Sequence, residues 1–152
     1  MYNFIDYATD VLKPDFFIWL GDNTGHNVWA DVQSEHLRSM KDISERFMAK
    51  TPKIGQMYPV LGNHEGMPCD EYDIYSNKHQ WILNNATEHW KHWLDQKSLE
   101  TFNKTGCYSQ LRPNTKLRII GINPLASDMM NPFLWRNATN PWNIVGLFFW
   151  RL

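Results

Sequence analysis

Two short apolar runs, each closed by a glycine and separated by a stretch of helical periodicity, constrain this chain more than any other feature. Asp15-Phe16-Phe17-Ile18-Trp19-Leu20 stops at Gly21, and Met57-Tyr58-Pro59-Val60-Leu61 stops at Gly62. Continuous apolar runs of this length read as strands buried on both faces of a parallel sheet. Between them Val32, His36, Met40, Ile43 and Phe47 recur at spacings of four, four, three and four, while Glu35, Arg38, Lys41, Glu45 and Arg46 fill the other faces. That pattern predicts an amphipathic helix, so the unit is strand, helix, strand. A helical crossover between parallel strands brings both carboxyl ends to one edge of the sheet, where open α/β folds bind ligands. The residues that follow Gly21 and Gly62 are therefore expected to face one crevice.

A second helical stretch is expected after Asn77, carrying Trp81, Trp90, Trp93 and Leu94. A turn at Arg112-Pro113-Asn114-Thr115 separates Gly106–Leu111 from Lys116–Asn123 and predicts a hairpin. Pro124 and the irregular stretch 127–132 end the pattern. The fold class is α/β, and 152 residues suffice for one folding unit or part of one. Six of the eight tryptophans gather in 81–93 and 135–150, either as core and lid packing or as an apolar substrate surface.

The residues just past the two strands carry the chemistry. The first run leads into Gly21-Asp22-Asn23-Thr24-Gly25-His26, the second into Gly62-Asn63-His64-Glu65. A carboxylate at Asp22 can bridge two divalent cations, Asn63 can offer one of them a neutral amide oxygen, and His64 can project beside the site without being a ligand. The preceding glycines let the backbone turn sharply off a buried strand. Placement at neighbouring strand ends would bring 41 positions of sequence separation down to ligand distance.

Gly-Asp followed by Gly-Asn-His-Glu resembles the calcineurin-like metallophosphoesterases. Gly21-Asp22 with His26, Val28 and Trp29, then Tyr58-Pro59-Val60-Leu61-Gly62-Asn63-His64-Glu65, then Gly106-Cys107-Tyr108 ahead of Leu117-Arg118-Ile119-Ile120, narrows it to the acid-sphingomyelinase branch. The resemblance covers roughly residues 10–140 and implies a partial metallophosphoesterase sandwich, parallel or mixed sheets flanked by helices, over the whole of 1–152. It makes Asp22 the metal-bridging carboxylate, Asn63 a ligand of one cation, His64 the group that stabilises or protonates the departing oxygen, and His26 a second active-site histidine near the phosphate. Glu65 would order the loop without touching metal. The implied cofactors are two divalent ions, zinc by resemblance. The implied partner is a phosphodiester substrate, a phospholipid drawn from a membrane surface, with sphingomyelin cleaved to ceramide and phosphocholine in the complete parent.

The family's Asp-X-His block does not occur in the first 21 residues, and its later histidine blocks do not occur before Leu152. The chain alone is therefore expected to be a catalytically silent central segment. The rival readings are a nucleotide phosphodiesterase or acid phosphatase of the same superfamily, and a non-catalytic binding module that keeps the scaffold. His36, His79, His89 and His92 lie on expected helices and read as packing or surface residues. A net charge of -1 with no basic run gives no footprint for nucleic acid as a partner. Three triplets, at Asn85, Asn103 and Asn137, are glycosylation acceptors if the parent is secreted or lysosomal, as the resemblance implies. The first residues do not read as a signal peptide, and the apolar stretch 143–150 is too short to span a bilayer. Cys69 and Cys107 are compatible with one disulfide or with two free thiols.

Overall fold

The structure is a computed structural model that describes residues 2–73 and 76–136. The strand–helix–strand unit forms as expected. Strand β1 (Phe16–Trp19) pairs in parallel with β2 (Gln56–Pro59), Phe16 opposite Gln56 and Trp19 opposite Pro59. The 22-residue helix α2 (Gln33–Ile54) crosses between them, burying His36, Met40, Ile43 and Phe47. Val32 precedes the helix and stays exposed. Upstream, the short helix α1 (Tyr2–Tyr7) is fastened to α2 by Asp6, which pairs with Arg46 and accepts from Lys50 Nζ at 2.9 Å.

The expected burial of β1 on both faces is not met, because Ile18 and Leu20 are 56% and 69% exposed. Among the described residues β1 has β2 as its partner in a two-stranded sheet, and α2 covers the face that carries Trp19, whose ring lies 5.7 Å from Phe47. An apolar run reports which residues avoid water, not which layer covers them.

Helix α3 (Gln80–Trp90) packs between α2 and α4 (Gln96–Thr105). Trp93 and Leu94, expected on the same helix, lie in the turn beyond it, as does exposed His92. Trp93 and Leu94 remain core residues, and Trp93's carbonyl is held by the side chains of Gln56 and Gln110 (Gln110 Nε2 at 3.1 Å). Trp90 is fully buried, its ring 5.8 Å from Trp19 and 4.9 Å from Phe102. The tryptophans read at 81–93 thus go to the core, Trp90 and Trp93 fully and Trp81 in part, at a few kcal/mol of burial per large ring. Helix α4 opens on Asp95, whose Oδ1 accepts from Ser98 N at 2.7 Å, and closes on left-handed Gly106.

The predicted hairpin is present as β3 (Tyr108–Leu111) antiparallel to β4 (Arg118–Gly121), with β4 touching β2. Beyond β4, fully buried Asn131 staples the chain back. Its Nδ2 donates to the carbonyls of Tyr72 (2.9 Å) and Leu125 (3.0 Å), and its Oδ1 accepts from Tyr72 N and Phe133 N. That staple holds the 124–130 segment beside the ends of β1 and β2. The Asn137 triplet and the apolar stretch 143–150 lie outside the described residues.

Candidate active site

The two loops read from the sequence do meet at one cleft. Its volume is about 800 Å³, and its wall includes Asp22, Gly62, Asn63, Asp70 and Asp128, with Leu20, Ile122 and Met130 on the apolar side. The turn off β1 is tight: Gly21 has φ +80° and Asp22 itself is left-handed at φ 58°. A Cβ on Gly62 would collide with the Asp22 carboxylate, and one on Gly21 would collide with the Gly62 amide. The glycines therefore permit the two loops to lie against each other, and side chains at either place would push Asp22 away from Asn63.

Glu65 is the hub of this junction. It is only 3% exposed, and its carboxylate accepts four N–H groups: Gly62 N (2.6 Å) and Asp22 N (3.0 Å) at Oε2, Asn23 N (2.8 Å) and Asn23 Nδ2 (2.7 Å) at Oε1. N–H groups of two loops, that of Gly62 buried and the others part-buried, have no ladder to join and are satisfied together by one side chain. The ordering role expected for Glu65 matches this geometry.

His64 is 6% exposed and fixed at its Nδ1, which lies 3.2 Å from the Thr24 carbonyl. A carbonyl only accepts, so Nδ1 carries the proton in that contact and Nε2 is left for other chemistry. Thr24 Oγ1 donates in return to the His64 carbonyl at 3.1 Å, and His64 N donates to Asp22 Oδ1 at 3.2 Å. The exposed His26 ring stands edge-on to His64, centroids 4.3 Å apart. All four sequence-expected residues thus belong to one junction: Asp22 and Asn63 on the cleft wall, His64 and His26 stacked beside the Asp22 loop.

One residue was missed. Asp70, left-handed at φ 69°, returns to Asn63, accepting from Asn63 Nδ2 at 2.8 Å while its own amide donates to the Asn63 carbonyl at 3.1 Å. Seven positions separate it from Asn63, and no periodicity in that loop announces it. Beside it Cys69 is free, its thiol pushed up to about 11 by burial, with the Asp70 carboxylate adding to the effect. Cys107 is free and buried, accepting from Asn123 N at 3.3 Å.

Of the other histidines, His36 is buried against Asp31 at 2.7 Å, His79 is buried and accepts from Asp73 N at 2.7 Å, and His89 is half-buried on α3. Asn85 and Asn103 are half-buried on α3 and α4, and Asn103 Oδ1 accepts from Thr87 of the other triplet at 3.3 Å.

The donor set fits part of a metal shell. Asp22 offers an exposed carboxylate and Asn63 an amide oxygen, both oxygen donors suited to divalent cations. Among the described residues no group of three or more His, Cys, Asp or Glu side chains is gathered tightly enough to complete a coordination sphere.

The sequence profile of the calcineurin-like phosphoesterases matches residues 1–146. The chain belongs to that family. It is 35% identical over 128 residues to sphingomyelin phosphodiesterase A of Dictyostelium discoideum, covering 82% of this chain and 21% of that protein. It is 31% identical over 134 residues to sphingomyelin phosphodiesterase of Bos taurus, covering 84% and 21%. With the human cyclic GMP-AMP phosphodiesterase SMPDL3A it shares 30% over 156 residues, covering 91% and 34%. The chain therefore spans only about a fifth to a third of the length of these curated relatives. Family membership implies divalent metal ions.

Proposed function

We propose that this chain carries the central part of the active site of a dimetal phosphodiester hydrolase, and that it is catalytically silent without further ligand blocks. The observation that carries this reading is the junction at the ends of β1 and β2, where Asp22 and Asn63 share one cleft wall and Glu65 locks both loops. Asp22 would bridge two divalent cations, zinc by family analogy, and Asn63 would ligate one of them. Bound there, such cations supply charge neutralisation on the phosphoryl oxygens and activation of the attacking water. Asp22 and Asn63 both line the cleft, where their side-chain oxygens would hold the cations. His64, with Nδ1–H committed to Thr24, would present Nε2 to the leaving oxygen and protonate it when the ring enters the step as imidazolium, and His26 sits against it as a second active-site histidine near the phosphate.

For the complete parent we propose a phospholipid phosphodiester of the sphingomyelin type as substrate, and a secreted or lysosomal location. Support comes from the sphingomyelin phosphodiesterase relatives and from exposed Leu20, Ile122 and Met130 on the cleft's apolar side, a surface suited to contact with a membrane. The match to a cyclic GMP-AMP phosphodiesterase favours a second reading, a nucleotide phosphodiester. The experiment is turnover by the full-length parent on sphingomyelin, ATP and a cyclic dinucleotide. A kcat/KM for the nucleotides more than about tenfold above the lipid, ~1.4 kcal/mol of transition-state preference, overturns the lipid assignment. Zinc-dependent hydrolysis of bis(p-nitrophenyl) phosphate by the 152-residue chain itself, abolished in Asp22→Ala, overturns the proposal that it is silent.

A further inference from the structure

An asparagine that ligates a cation must point its oxygen, not its nitrogen, at the ion, and nothing in the side chain itself decides which way it faces. A carboxylate beside it does decide, because an ionised carboxylate only accepts hydrogen bonds and so draws the amide nitrogen. Asp70 Oδ1 lies 2.8 Å from Asn63 Nδ2, and the same nitrogen has Cys69 Sγ at 3.9 Å, so its hydrogens face Asp70 and Cys69. Among the described residues no donor meets Asn63 Oδ1, which is left for the cleft that Asn63 and Asp70 both line. The backbone repeats the clamp: the Asn63 carbonyl accepts from Asp70 N and Gly66 N, each at 3.1 Å. Asp70 is held at φ 69°, a conformation that aspartate, asparagine and glycine tolerate far better than other residues.

We propose that Asp70 is the positioning residue of this site: it fixes the Asn63 amide with its oxygen toward the cleft, so that Asn63 is a ready ligand before any cation arrives. The inference rests on the proposed metal-ligand role of Asn63, and it concerns the orientation of a ligand rather than the identity of one. Its sequence partner is invisible to motif reading because the Gly-Asn-His-Glu signature ends at Glu65, five residues before it.

The backbone conformation of Asp70 supplies the control variants. Asp70→Gly keeps the left-handed turn and removes the acceptor, and Asp70→Asn keeps both the turn and an oxygen that accepts from Asn63. The test uses the ¹⁵N-labelled chain without metal first, following hydrogen exchange of the Asn63 side-chain amide, and then titrates Mn²⁺ while following line broadening at Asp22 and Asn63. The expected result is faster amide exchange and about tenfold weaker Mn²⁺ binding in Asp70→Gly, the order seen when an outer hydrogen-bond partner of a metal ligand is removed. Asp70→Asn is expected to restore both, with unfolding temperatures unchanged across the set. Wild-type exchange and Mn²⁺ affinity in Asp70→Gly overturn the inference, as do equal losses in both variants. If wild-type chain shows no broadening at Asp22 or Asn63, the metal-ligand reading falls, and the metal-free exchange measurement still judges Asp70 independently.

Discussion

Replacing Glu65 with glutamine changes one oxygen to an amide nitrogen and tests the junction on which the site depends. The carboxylate accepts two N–H groups at each oxygen. Glutamine can serve one pair with its carbonyl, but its NH₂ then faces the other pair donor to donor. Hydrogen bonds to a charged acceptor contribute about 1.5–3 kcal/mol each, so losing two costs at least about 3 kcal/mol, before the cost of buried amides left without partners. For a domain of this size, with ~2–4 °C of melting temperature per kcal/mol, Glu65→Gln should melt at least about 6 °C below wild type. Circular dichroism melting in metal-free buffer measures it. A fall of less than about 2 °C would refute the hub role, since it would mean that the loops lie together without the carboxylate.

Three further outcomes are expected. Gly62→Ala drives a methyl into the Asp22 carboxylate and should weaken Mn²⁺ broadening at Asp22 by at least about tenfold, with ~1–3 kcal/mol of lost stability. Burial, then the Lys78 charge, lowers the pKa of His79 below its ordinary 6.5, so its neutral form is the folded one. Stability from that term is complete above 6.5 and falls as the unfolded chain takes up a proton below it; the melting temperature should be lower near pH 5 than near pH 7.5, less so in His79→Asn. Thiol titration should find two free cysteines on denaturation and slow reaction at Cys69 in the folded chain, whose half-buried thiol, beside the Asp70 carboxylate, resists deprotonation.

The sequence made the β1–α2–β2 unit legible because helix periodicity and glycine-ended apolar runs are local signals. It also made the meeting of the Asp22 and Asn63 loops legible, since residues that follow parallel strands share an edge whatever the loops do; the ordering role of Glu65 came from the family resemblance alone. What it hid depends on contacts across the chain. The exposure of Ile18 and Leu20 reflects the layer above β1, and composition along the strand does not encode that layer. Trp93 and Leu94 satisfy a helical spacing, yet sit in a turn where glutamine side chains hold Trp93's carbonyl. Asp70 reaches Asn63 through a left-handed backbone step, which an aspartate permits but does not advertise.

The measurement that tests the central claim most directly is anomalous scattering from crystals of the chain soaked in millimolar Mn²⁺. The account predicts a peak in the cleft within about 2.0–2.3 Å of an Asp22 carboxylate oxygen and of Asn63 Oδ1, with the Asn63 nitrogen still on Asp70. A peak ligated elsewhere, or an Asn63 amide turned with its nitrogen into the cleft, would contradict it.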